Sequence, residues 1–164
     1  MKIINQEQKE FWNEKKGDIW VSLEHNIDKM LGPLGDQAIK ILKPKVGEKI
    51  LDIGCGTGDF LSKCKRKKWD TLGIEPSDIA RKKAIENHDL TVEKSTSLDC
   101  LTGEFDIITM WHVLEHVTEL NTTVAEFKRL LSNNGKVIIA VPNLKSFDCS
   151  YYKKYWAGYD LPIH

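Results

Sequence analysis

At 164 residues the chain is the size of one domain, long enough to bury a core. Lysine plus arginine equals aspartate plus glutamate, 24 each, so no global field directs the molecule to nucleic acid or to an anionic membrane. No apolar run is long enough to span a bilayer and Met1 to Asn13 is too polar for a signal peptide. The expectation is a soluble, cytoplasmic protein. Four cysteines (Cys55, Cys64, Cys100, Cys149) form no CxxC pair, which argues for free thiols and against a zinc site.

In chain order, the first 45 residues read as helical, with Phe11, Trp12, Trp20, Leu23, Ile27, Met30 and Leu31 at three- and four-residue steps. Breaks are expected at Gly17 and at Gly32-Pro33, and a further helix from Leu34 to Leu42 should end at Pro44. Then comes KILDIGCGTGDF, Lys49 to Phe60. Ile50, Leu51 and Ile53 form a short strand, Gly54, Gly56 and Gly58 a tight loop, and Phe60 and Leu61 the start of a helix closed by a basic run, Lys63 to Lys68. Glycine enters the left-handed region freely, where other residues lose roughly 1–2 kcal/mol. The helix that follows adds unpaired N–H groups and a positive dipole end. The loop should therefore face an anionic or strongly polar ligand.

Trp69 to Glu75 is a second strand ending in an acid, about 20 residues past the loop, where doubly wound nucleotide sites place a carboxylate for ribose hydroxyls. Pro76 and Ser77 open the next helix, with Ser77 its N-cap. Leu90 and Val92 give a weak third strand, and Phe105 to Trp111 a fourth, leading into HVLEHV. Val124, Phe127, Leu130 and Leu131 form the apolar face of a crossover helix, terminated by Asn133, Asn134 and Gly135 as a turn. Lys136 to Val141 is a fifth strand whose apolar run predicts burial on both faces. The tail holds Phe147, Tyr151, Tyr152, Tyr155, Trp156 and Tyr159, an aromatic stripe read as packing, with an acceptor pocket as the alternative.

The glycine spacing is not the dinucleotide GxGxxG, because Asp59 occupies its last position. DIGCGTGD, followed by GIEPS, instead resembles the first two motifs of class I S-adenosylmethionine-dependent methyltransferases. The block FDIITMWHVLEHV resembles the fourth motif, and LLSNNGKVIIAVPN also matches that family. The resemblance covers residues 45 to 143. It implies an α/β, Rossmann-like three-layer sandwich with a mainly parallel sheet of order 3-2-1-4-5. The last two strands of the family sheet are missing from this chain, which therefore looks truncated. The expected parts are a helical cap over 1–45, a cofactor-binding core over 46–145 and an aromatic tail over 146–164.

What the resemblance implies for the site is specific. Asp52, Gly54, Cys55, Gly56, Gly58 and Asp59 wrap the methionine end of S-adenosylmethionine, and Glu75, Pro76 and Ser77 hold its ribose. Family members usually place an aspartate against the adenine after the third strand, whereas this chain reads EKSTSLD, leaving Thr96 or Ser97 at that position. Met110, Trp111 and His112 border the methyl group, with His112 the candidate base for an acceptor that must lose a proton. The expected activity is methyl transfer to a small molecule, with no nucleic-acid or membrane partner, no metal, and a homodimer through the exposed fifth strand. Two other enzyme classes share features: a nicotinamide oxidoreductase would use the same loop and Glu75, and His112, Glu115 and His116 spell the HxxEH zinc signature. That signature needs a third downstream ligand, and the acids after His116 read as polar helix faces or tail. A cofactor-binding protein without turnover is a further alternative.

Overall fold

The computed structural model describes residues 22, 24–95, 97–156 and 158. Residues 1–21 and Leu23 of the expected cap, Trp12, Gly17 and Trp20 among them, lie outside these, as do Thr96 and Tyr159. Five strands form one parallel sheet, β1 (Lys49–Ile53), β2 (Asp70–Ile74), β3 (Val92–Glu93), β4 (Phe105–Trp111) and β5 (Leu131–Ala140), in the order β3-β2-β1-β4-β5. The helices are α1 (Glu24–Leu42), α2 (Asp59–Arg66), α3 (Asp78–His88), α4 (Leu120–Leu130) and α5 (Phe147–Tyr152).

Alternation along the central strands divides the core in two. Leu51 and Ile53 of β1, with Ile108 and Met110 of β4, join Phe127 and Leu130 of α4 on one face of the sheet. Ile50 and Ile107 point the other way, onto Leu61 and Cys64 of α2 and Ala84 of α3. Two buried faces on one sheet make the three-layer sandwich that the strand-helix alternation predicts. The order reverses between β1 and β4, and a crevice at the carboxyl ends of these strands is where such sheets bind ligands.

Four expectations are corrected. The helix does not break at Gly32-Pro33, since α1 runs through Pro33 from Glu24 to Leu42. Pro33 and Lys29, whose carbonyl loses its intrahelical partner, are both exposed, so the proline costs the helix less than it would in a buried stretch. Asn133, Asn134 and Gly135 do not cap α4, which ends at Leu130 with Leu131 as its C-cap and the first residue of β5. Pairing of β4 with β5 steps from Phe105 opposite Leu131 to Ile107 opposite Lys136, so these residues form a bulge. Nor is β5 buried on both faces. It lies at the sheet edge with Ile139 and Val141 exposed, because no strand or helix among the described residues covers that side. Nor do Phe147, Tyr151 and Tyr155 of the tail pack into the core: they are 77%, 67% and 78% exposed, Phe147 stacking on Tyr151, Tyr151 meeting Tyr152 edge-on and Tyr155 lying under the Lys154 ammonium.

Candidate functional site

The glycine loop joins β1 to α2, and all three of its glycines have positive φ: 72° at Gly54, 56° at Gly56 and 89° at Gly58. Gly54 and Cys55 donate their N–H groups to the Ile74 carbonyl at 2.8 and 3.1 Å, which ties the loop to the end of β2. A Cβ on Gly54 would lie 2.4 Å from Val113 Cγ2, and one on Gly58 2.5 Å from Leu90 Cδ1. A Cβ on Gly56 would meet nothing within 4 Å. Gly54 and Gly58 are thus demanded by packing, whereas Gly56 leaves backbone open to a ligand.

Glu75 anchors the loop. It is buried, and its two carboxylate oxygens accept the Gly56 N–H and the Ser77 N–H, both at 2.8 Å. Burial raises its pKa, opposed by those two donors and by the Arg81 guanidinium, which also donates to the Glu75 carbonyl at 3.0 Å. Each carboxylate oxygen keeps a further lone pair, so Glu75 can hold the loop and still accept from a ligand hydroxyl. Pro76 is half-buried, and Ser77 is the N-cap of α3, its hydroxyl accepting the Ala80 N–H at 3.4 Å.

Asp52 lies beneath the loop, 1% exposed, and its Oδ1 accepts from Thr109 Oγ1 at 2.6 Å. Desolvation pushes its pKa up to about 7, helped by the nearby Glu75 charge and opposed by the Thr109 bond. Such a carboxyl lacks a cation. Thr109 carried no expectation, although it is the residue of β4 facing Asp52. Asp59 opens α2, its carboxylate 2.9 Å from the Thr57 hydroxyl and 3.6 Å from His88 Nε2, a bracing role for the loop. The Cys55 thiol is buried, and its pKa is pushed well up by that burial.

The expected methyl-side residues separate. The Met110 side chain is fully buried in the core on one face of the sheet. Trp111 packs on Phe60 with ring centroids 5.1 Å apart, and Phe60 in turn lies against Gly35 of α1, where a Cβ would come within 3.0 Å. His112 has φ +56°, and its N–H donates to the Ala140 carbonyl at 2.9 Å. Its Nδ1 stands 3.5 Å from Glu115 Oε1. Val113 then covers Gly54, joining this segment to the glycine loop. The helix face that HxxEH requires does not form: Leu114–His116 is a single 3-10 turn, and His112 precedes it in left-handed backbone. Ser97 follows β3 on the flank, where its N–H is taken by Ser95 Oγ at 3.0 Å. A cleft of about 270 Å³ bounded by Lys49, Asp70 and Glu104 lies at the opposite, amino-terminal ends of β1, β2 and β4.

Residues 23–162 match the family model described as Methyltransferase domain. The chain belongs to that family. It is 32% identical over 114 residues to the ubiquinone biosynthesis O-methyltransferase of Pasteurella multocida, an alignment covering 59% of this chain and 47% of that protein. The chain spans about half the length of the curated relatives it matches. Among solved structures it superposes on the magnesium protoporphyrin IX methyltransferase from Synechocystis PCC 6803 with bound S-adenosylmethionine, at TM-score 0.70 and 17% identity, over 83% of this chain and 75% of that one. A TehB-like S-adenosylmethionine-dependent methyltransferase from Corynebacterium glutamicum gives TM-score 0.61 and 21% identity, over 77% and 73%. In this methyltransferase domain the strand order and the glycine loop are those of an S-adenosylmethionine-binding sheet. The residues fit that cofactor: Gly56 opens a backbone cradle, Glu75 offers acceptors for ribose hydroxyls, and Asp52 is a buried acid suited to a cationic group.

Proposed function

We propose that the protein containing this domain transfers a methyl group from S-adenosylmethionine to a small-molecule acceptor in the cytoplasm. The observation that carries the reading is the loop of three left-handed glycines braced by a buried acid at the end of β2, beside the point where the strand order reverses. The bound cofactor supplies an electrophilic methyl on a sulfonium. The chain's part is to hold the acceptor atom in line with that methyl, which accounts for most of the acceleration in such displacements. His112 is the candidate base. The neutral charge balance favours a small acceptor over nucleic acid, and no described helix is long and apolar enough to cross a membrane.

The test is calorimetric titration with S-adenosylmethionine and S-adenosylhomocysteine on wild type and on Glu75→Ala. Loss of the carboxylate strands the Gly56 and Ser77 N–H groups and removes ribose acceptors, at about 1.5–3 kcal/mol per charge-assisted bond, so affinity should fall at least tenfold to a hundredfold. Equal binding by both proteins would exclude Glu75 from the site. Transfer of labelled methyl then separates an enzyme from a binding domain without turnover.

The edge position of β5, its exposed Ile139 and the exposed Val141 that follows it support the further proposal that two copies pair through this strand. Light scattering across a concentration series should show dimer, and a monomer throughout would reject the pairing.

A further inference from the structure

The last residue of β4 and the segment after it carry three polar atoms that are buried and have no hydrogen-bond partner among the described residues: Trp111 Nε1, His112 Nε2 and Glu115 Oε2. Buried polar atoms are nearly always paired, and an unpaired group marks a place where something else binds or chemistry occurs. All three lie within five residues of sequence, on a segment clamped to the glycine loop by Val113 over Gly54. His112 also holds φ +56°, a conformation costly for a residue with a Cβ and stored characteristically at functional sites. The His112 N–H to Ala140 carbonyl bond and the packing of Val113 keep it there.

We propose that Glu115 is the positioning residue for His112, fixing the imidazole with its proton on Nδ1 and its lone pair on Nε2, ready to take the proton of a neutral hydroxyl acceptor. This rests on the methyltransferase reading above. The geometry points to it because Glu115 Oε1 faces Nδ1 at 3.5 Å, while Nε2 has no partner among the described residues. In the step, an acceptor oxygen forms the new C–O bond, the C–S bond breaks with its electron pair left on sulfur, and the hydroxyl proton passes to His112 Nε2. Trp111 Nε1, held by the Phe60 ring, donates to an oxygen of the same acceptor. An acceptor that is already a carboxylate has no proton to give and gains nothing from this pair.

The test reads the tautomer directly. In protein labelled with nitrogen-15 histidine, with His112 assigned by its loss in His112→Asn, long-range proton–nitrogen spectra should show Nδ1–H and a bare Nε2. Glu115→Ala should mix the tautomers, and Glu115→Gln, which keeps an acceptor oxygen, should restore the bias. With phenol as the hydroxyl probe, Glu115→Ala should lower kcat on the order of 100-fold while cofactor affinity stays within twofold. His112→Gly suits the local backbone, so it should unfold no earlier than wild type, lose turnover and regain part of it with added imidazole. An Nε2–H tautomer in wild type, or one unchanged in Glu115→Ala, overturns the proposal. Should phenol not be methylated, the tautomer spectra decide alone. Failure of S-adenosylmethionine to bind, read separately by calorimetry, would reject the methyltransferase reading and leave the positioning result standing on its own.

Discussion

Asp52→Asn is expected to stabilise the cofactor-free domain above pH 7 and to abolish cofactor binding. The folded pKa of about 7 exceeds the ordinary 3.8, because burial disfavours the charged carboxylate. The folded state therefore binds a proton more tightly than the unfolded one. Stability from this group is full below about pH 4, declines as pH rises, and is lost once pH passes 7. The difference between 3.8 and about 7 corresponds to about 4 kcal/mol across that window. Asparagine keeps an oxygen for the Thr109 hydroxyl and carries no titrating proton, so denaturant unfolding from pH 5 to pH 8 should lose most of its slope. What slope remains belongs partly to Glu75, whose pKa is raised in the same sense. A cation bound beside Asp52 reverses its preference, so S-adenosylmethionine binding near pH 6.5 should release a proton, seen as a heat that changes with buffer ionisation enthalpy. Undiminished binding by Asp52→Asn would remove the carboxylate from the cofactor's recognition.

Gly54→Ala should damage both fold and site. The new Cβ would stand 2.4 Å from Val113 Cγ2 at a residue with φ +72°, which combines left-handed strain with overpacking. Together these cost about 2–5 kcal/mol, and relief requires moving either the loop or the His112 segment. Thermal unfolding should fall accordingly, with cofactor affinity reduced more than 100-fold. Adding Val113→Ala should recover part of the stability, since it removes the colliding methyls but not the backbone strain. Gly56→Ala provides the contrast. Its Cβ meets nothing within 4 Å, so stability should drop by only about 1–2 kcal/mol, from φ alone, while affinity falls because the methyl enters the ligand's space. Equal stability losses at the two positions would show that Val113 does not lock the segments together.

The fold was legible because its signals are local and repeated. Short apolar strands alternate with helices, glycines appear where the backbone turns left, and Glu75 falls at the end of β2. Ser77 was legible as an N-cap for the same reason. What escaped the sequence depends on neighbours distant in the chain. Thr109 matters only because β4 lies beside β1, a pairing across 57 positions. Met110 and Trp111 are consecutive, so pleating sends one into the core and the other toward Phe60, and a motif names both without choosing. The apolar run of β5 reads as buried, yet burial depends on what lies alongside, and the described residues place it at an edge. The aromatic tail misled similarly: Phe147 and Tyr151, spaced for packing, stay exposed and stack on each other.

The hydrogen bond between Asp52 and Thr109 also orders events in time. A ribosome adding 5–20 residues per second reaches Thr109 roughly 3–11 s after Asp52. Until β4 arrives, the acid and the glycine loop belong to an emerging half-sheet in which β1 is an outer strand with one open edge. A nascent chain could gather β1, β2 and β3 early, yet it would have neither a floor for the loop nor His112 to face it. Ligand capture should therefore begin only after β4 has docked, making cofactor retention by stalled chains of graded length a clock for the closing of the sheet.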